Sequence, residues 1–179
     1  GEIVPTLAEY YAGEPSVYFQ DMVPYKNNLY CVGSWYDYNN QQGRMMLAQL
    51  SMTDGTPTWI QGVVPDSTQA TQFYGHRNVL VDNDRLVVSG YGILRFNTPT
   101  QMNLTYLSKY DLDGSLLWMK SYESILSVMD MISLPDGYIL YGLMRNNRWG
   151  LIKTDKDGNL VASKQVSLPN TPGQSSYTS

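Results

Sequence analysis

Asp113-Gly114-Ser115-Leu116-Leu117-Trp118 restates Asp54-Gly55-Thr56-Pro57-Thr58-Trp59, and Asp157-Gly158-Asn159-Leu160-Val161-Ala162 restates it again with Ala in place of Trp. Asp and Gly bond to their own backbone or accept a positive φ, so each pair marks a tight turn between two strands. In register before the turns stand Leu47-Ala48-Gln49-Leu50, Tyr106-Leu107-Ser108-Lys109 and Gly150-Leu151-Ile152-Lys153. After them come Thr58-Trp59-Ile60-Gln61, Leu117-Trp118-Met119-Lys120 and the weaker Val161-Ala162-Ser163-Lys164. A pattern restated three times specifies a repeated supersecondary unit.

Two further strands precede each of these hairpins. Leu29-Tyr30-Cys31-Val32, Leu86-Val87-Val88-Ser89 and Tyr138-Ile139-Leu140-Tyr141 each end on a glycine, Gly33, Gly90 and Gly142, spaced 57 and 52 residues apart. Six positions before each glycine stands Asn27, Asp84 or Asp136, within the pairs Asn27-Asn28, Asp84-Arg85 and Asp136-Gly137, which read as hairpin turns. The preceding strands are Val17 to Val23, His76 to Val81 and Ser127 to Ile132. No stretch keeps a 3.6-residue apolar period, so the expectation is an all-β chain of about three four-stranded antiparallel units, almost without helix. The middle strands, apolar throughout, read as buried on both faces.

Composition narrows the function classes. The 179 residues are 42% hydrophobic and 16% charged, which suits a folded core and not a disordered chain. The net charge of −4 and the lack of any Lys/Arg cluster leave no footprint for nucleic acid, and no apolar run approaches the length of a membrane-spanning helix. Tyr (15) and Trp (4) outnumber Phe (3), a skew suited to half-wet strand faces and frequent in exported β proteins. The expected location is therefore extracytoplasmic: periplasmic, cell-surface or secreted. Cys31 has no partner for a disulfide and sits in an apolar run, as a buried structural thiol does.

The runs Asp136-Gly137-Tyr138-Ile139-Leu140-Tyr141-Gly142 and Leu151-Ile152-Lys153-Thr154-Asp155-Lys156-Asp157-Gly158-Asn159 resemble the β-propeller repeats of secreted and surface proteins of bacteria and archaea. The Gly-x-x-x-Trp element is similar to the tryptophan-docking motif of quinoprotein-like propellers. That resemblance implies blade-docking roles for Trp59 and Trp118, a role Ala162 cannot fill. It covers residues 17–166, divided as units 17–66, 67–125 and 126–166, with 1–16 as an N-terminal strand or partial blade and 167–179 as a tail or the start of another blade. Three units cannot close a ring that typically takes ~4–8 blades. Two arrangements stay open: the remaining blades come from a longer chain or another subunit, or the two ends supply a fourth blade.

Candidate sites follow from position. Asp21, Asn78 and Asp130 each lie twelve residues before the marker glycine, at matching heights on the innermost strands. Converged, they would suit a cation or the polar end of a ligand; otherwise each bonds the backbone of the neighbouring unit. Asp111-Leu112-Asp113-Gly114 and Asp155-Lys156-Asp157-Gly158 lack the oxygen count of a calcium loop and read as Asx-stabilised turns, so no metal and no cofactor is expected. His76 is the single histidine, read as a hydrogen-bonded residue at the mouth of an inner strand. Trp35, Tyr36 and Tyr38, interleaved with amides up to Gln42, are equally suited to stacking on sugar or peptide and to simple packing. No nucleophile and base stand together. The functional expectation is a noncatalytic binding or scaffolding module for a protein or glycan, with a quinoprotein-type dehydrogenase fragment and an outer-membrane assembly scaffold as the alternatives.

Overall fold

Each turn joins strands that pair directly, so the chain folds as three successive meanders. The computed structural model describes residues 17–37, 42–63, 73–94, 99, 102–123, 125–144 and 148–166, and both chain ends, with the partial blades expected there, lie outside them. Sheet 1 contains β1 (Val17–Tyr25), β2 (Asn28–Asp37), β3 (Gln42–Ser51) and β4 (Pro57–Val63), in that order. Sheet 2 contains β5 (Phe73–Val81), β6 (Arg85–Leu94), β7 (Met102–Asp111) and β8 (Leu116–Tyr122). Sheet 3 contains β9 (Ile125–Leu134), β10 (Gly137–Met144), β11 (Trp149–Thr154) and β12 (Leu160–Gln165). Every neighbouring pair is antiparallel, and no helix occurs among the described residues.

The first hairpin of each sheet turns one residue earlier than the sequence suggests. Tyr25 pairs with Asn28 and Leu134 with Gly137, so Lys26-Asn27 and Pro135-Asp136 form the loops. In sheet 2, Asp82 and Arg85 exchange backbone bonds of 2.9 and 3.1 Å around Asn83-Asp84, both at positive φ. Asn28, Arg85 and Gly137 already belong to the ladder. The Asp-Gly turns stand where expected: Gly55, Gly114 and Gly158 have φ of 74, 89 and 76°. The carboxylates of Asp54, Asp113 and Asp155 accept the N–H of Thr56, Ser115 and Asp157, as Asx turns do.

The marker glycines have a different cause. All three inner strands carry a β-bulge at one equivalent position, Gln20, Arg77 and Met129, opposite the second strand. The extra residue folds the backbone toward that strand. A Cβ on Gly33 would overlap the carbonyl oxygen of Tyr18, and one on Gly142 that of Ser127; on Gly90 it would stand 2.8 Å from the carbonyl oxygen of Gly75. Glycine is needed here for close approach, not for a left-handed conformation.

The sheets stack face on face through their inner strands, β5 against β1 to β3 and β9 against β5 to β7, as neighbouring blades of a three-blade partial propeller. Between sheets 1 and 2 lie Tyr30, Val32 and Leu47 against Val79, Leu86, Val88 and Tyr110, and farther out Met45 against Leu104 and Tyr106. Between sheets 2 and 3, Val87, Leu107 and Tyr122 meet Val128, Met131, Tyr138, Leu140 and Ile152. Cys31 is buried, and desolvation pushes its thiol up to about 11. Leu86, Val87 and Val88 are fully buried because sheet 2 is covered on both faces, whereas in Tyr138-Ile139-Leu140-Tyr141 burial alternates and Tyr141 is 37% exposed. Among the described residues, sheet 3 is packed on one face only.

The bulge geometry predicts an order of sensitivity. Gly33→Ala and Gly142→Ala should each cost on the order of 3 kcal/mol, since a fixed backbone oxygen must move, and Gly90→Ala distinctly less. Urea denaturation of the three variants measures this; equal, near-zero costs would mean the bulges do not demand glycine.

Candidate functional site

The residue after each bulge is Asp21, Asn78 or Asp130, and the extra residue aims its side chain along the sheet-to-sheet direction. Asp21 Oδ2 accepts the backbone N–H of Val79 in sheet 2 at 2.9 Å, while its Oδ1 accepts that of Met22 at 2.8 Å. Asn78 Nδ2 donates to the carbonyl of Met129 in sheet 3 at 3.2 Å, and its Oδ1 accepts from Ser89 Oγ at 2.8 Å. Asp130 Oδ1 accepts from Met131 N at 2.8 Å, and its Oδ2 takes no bond among the described residues. The row is thus a register device across two interfaces and has a free carboxylate oxygen at the third position.

His76 departs from its expected state. It precedes the bulge of β5, is fully buried, and neither ring nitrogen has a hydrogen-bond partner among the described residues; its edge meets Tyr110 at 6.1 Å and 89°. Burial holds its pKa down to about 3, so the ring is neutral. The Tyr110 hydroxyl, likewise buried, is pushed up to about 12, chiefly by the same desolvation.

A cluster that sequence reasoning missed joins the turns of sheets 2 and 3. Asp82 Oδ2 accepts from Tyr138 OH at 2.8 Å and from Lys156 Nζ at 2.9 Å, with Lys109 Nζ at 4.0 Å. Lys156 also donates to Ser133 Oγ at 2.9 Å, and both ammonium groups lie over the Tyr138 ring, at 5.9 Å for Lys109 and 4.6 Å for Lys156. Burial works against the Asp82 carboxylate, yet hydrogen bonds from Lys156 and Tyr138 hold its pKa below the usual carboxylate range. Two residues on, Asp84 accepts from Tyr25 OH and from Lys26 Nζ in sheet 1. The one turn Asp82-Asn83-Asp84 therefore grips both neighbours. Tyr138 and Lys156 lie more than fifty residues from Asp82, and Tyr25 and Lys26 as far from Asp84, with no local signal linking them.

The aromatic candidates divide between packing and exposure. Trp35 lies beside Gly62, where a Cβ would stand 3.2 Å from the ring, and Arg44 sits over it at 5.2 Å. Tyr36 pairs with Gly43 within β2, and Tyr38 lies outside the described residues. Trp59 packs into the core between sheets 1 and 2, and Trp118 into the core between sheets 2 and 3. A Cβ on Gly158 would stand 2.6 Å from the Trp118 ring, and one on Gly114 2.8 Å from Gln61 Nε2, so the second and third Asp-Gly turns sit on the outer strand of the preceding sheet. Tyr122 OH donates to the carbonyl of Gly158 at 2.5 Å, on the wall of an open groove of about 330 Å³ that Lys120, Glu123 and Asn159 also line.

The unpacked face of sheet 3 was not foreseen. By pairing register it carries Asp130, Ile132, Ile139, Tyr141, Trp149 and Leu151, with Ile132 51% exposed. Tyr141 stacks on Trp149 at 5.2 Å and 12°. No group of three or more His, Cys, Asp or Glu side chains placed to hold a metal ion occurs among the described residues. No helix of the described residues is long and apolar enough to cross a membrane.

His76 supplies a pH prediction. Its folded pKa lies below the unfolded value of 6.5, so its contribution to stability is complete above that pH and is lost as pH falls toward 3. Relative to His76→Phe, the wild type should lose on the order of 3 kcal/mol between pH 7 and pH 4. Urea midpoints across that range measure the difference; parallel curves would mean His76 is not held neutral in the fold. No protein-family model matches the chain, and no curated protein is similar to it.

Proposed function

We propose that the chain is a noncatalytic binding or scaffolding module of an exported β-propeller, taking a protein or glycan ligand. The observation that carries this reading is the outer face of sheet 3, where Tyr141, stacked on Trp149, shares the surface with exposed Ile132 and half-buried Ile139 and Leu151. Rigid aromatic side chains give large contact areas at small entropic cost, and a contiguous apolar face on a folded protein marks association. The polar side chains of the inner strands support it as well, since Asp21 and Asn78 are engaged in joining sheets. Their chemistry is that of a fixed framework presenting a surface.

Glycan and peptide arrays probed with the purified chain test this directly. Retained probes are expected, and Tyr141→Ser should weaken them by roughly tenfold, the usual effect of removing a central aromatic anchor. Sustained turnover of chromogenic hydrolase substrates, or dye reduction after reconstitution with quinone and calcium, together with no ligand on either array, would replace the reading with an enzymatic one.

A further inference from the structure

By pairing register, one row of side chains crosses the outer face of sheet 3 at a single height: Asp130, Tyr141, Leu151 and Lys164, from the inner strand β9 to the outer strand β12. The equivalent rows are Asp21, Val32, Leu47 and Gln61 in sheet 1, and Asn78, Ser89, Leu107 and Lys120 in sheet 2. In those two the next sheet covers the middle of the row, with Val32, Leu47, Ser89 and Leu107 at 0% exposure. It also engages polar ends: Asp21 Oδ2 accepts from Val79 N, Gln61 Nε2 donates to the Gly114 carbonyl, and Asn78 Nδ2 donates to the Met129 carbonyl. In sheet 3, Tyr141 is 37% exposed, and both ends, Asp130 Oδ2 and the Lys164 ammonium, are uncommitted among the described residues.

A row with a carboxylate at one end and an ammonium at the other is its own complement when reversed. A two-fold axis parallel to the strands reverses it, laying β9 of one copy over β12 of another without a change of height. Asp130 then faces Lys164 of the second copy, twice per pair of copies, and Tyr141 faces the second copy's Leu151. Face-to-face sheets lie ~10 Å apart, a gap that an aspartate and a lysine reaching toward each other can bridge. The flanking rows agree. Trp149 is paired with Leu143, so reversal lays the indole on a leucine; Ile139 is paired with Lys153, so reversal lays it on the aliphatic stem of a lysine whose ammonium Asp136 holds at 2.7 Å. The two-fold axis across the strands instead lays β9 on β9 and β12 on β12, acid beside acid and lysine beside lysine.

We infer that the outer face of sheet 3 receives the same face of a second copy of this chain, in a symmetric dimer whose two-fold axis runs parallel to the strands and whose two Asp130–Lys164 pairs flank an apolar centre. This rests on reading the sheet 3 face as an association surface and names its occupant. The contact uses the same patch on both copies, so assembly stops at two. Affinity comes from the apolar centre, and the charge pairs set which way round the two faces meet.

Sedimentation velocity of the full chain over a concentration series tests the proposal. The expected species is a dimer without larger oligomers. Asp130→Lys and Lys164→Asp, each alone, set like charges against each other and should weaken dimerisation by roughly tenfold or more, with circular dichroism unchanged. Both substitutions in one chain should restore the dimer. Mixing the two single variants should give a heterodimer, since each then presents the charge that the other needs at both contacts. If Asp130→Lys fails to fold, Lys164→Asp and Tyr141→Glu, both at exposed positions, carry the test, and each should lower dimerisation. A monomer at every concentration overturns the proposal and leaves the face to a further sheet of a longer chain or to a different protein. A dimer that Lys164→Asp leaves intact overturns it, as does failure of the folded single variants to associate when mixed. A monomer that still retains array ligands through Tyr141 sinks only this proposal; absence of both dimer and ligand sinks the association surface itself.

Discussion

One extra residue in each inner strand governs how this chain is built. The bulges at Gln20, Arg77 and Met129 push a carbonyl against the second strand, which leaves no room for a side chain at Gly33 and Gly142 and little at Gly90. They also turn the following residue toward the neighbouring sheet, where Asp21 and Asn78 find backbone partners. A single local distortion thus fixes the register inside a sheet and the register between sheets, and it recurs three times because the unit recurs.

The interfaces are held at three distances from the inner strands. Nearest are the bonds of Asp21 and Asn78; in the middle lie the apolar clusters; at the outer strands, Gly114 rests on Gln61 and Gly158 on Trp118. At one rim the Asp82-Asn83-Asp84 turn adds charged bonds in both directions. The two arms of that turn differ in worth. Lys26 and Asp84 are more than half exposed, where an ion pair contributes little, whereas Asp82 is 12% exposed and its bonds to Tyr138 and Lys156 are shielded from solvent. Removing one partner of the second arm leaves a poorly solvated charge, so it is the arm that specifies the join of sheets 2 and 3.

The sequence made the strands, the Asp-Gly turns and the three-unit count legible because these depend on residues close together in the chain. The marker glycine was legible as a recurrence but not as a cause, since the carbonyl that demands it belongs to another strand. The hairpin turns were displaced by one residue because Asn28 and Gly137, though good turn formers, and Arg85, which follows the turn-forming Asp84, all pair in the ladder. His76 looked like a strand-mouth residue because nothing in its flanks reveals that the fold buries it completely against Tyr110. The aromatic stretch from Trp35 was visible as composition, but its ring lies over Gly62, a residue made relevant only by the pairing of β3 with β4. The Asp82 cluster and the open face of sheet 3 were invisible for the same reason: both exist only once distant strands are side by side.

The third unit departs from the other two in a directed way. Ala162 stands where Trp59 and Trp118 fill the outer part of an interface, and aromatic bulk appears instead at Trp149, in the register position of Met45 and Thr105. The polar residue at the inner end limits what can cover this face. Asn78 both donates and accepts, and it reaches sheet 3 through its amide nitrogen; an ionised carboxylate only accepts. Asp130 therefore matches Asp21 and not Asn78, and as in the first interface, where a carboxylate oxygen takes a backbone N–H from the next inner strand, the cover of sheet 3 has to bring a donor. A cover that offered only carbonyl oxygens there would bury the Asp130 charge against acceptors, at a cost that the surrounding apolar contacts would have to overcome.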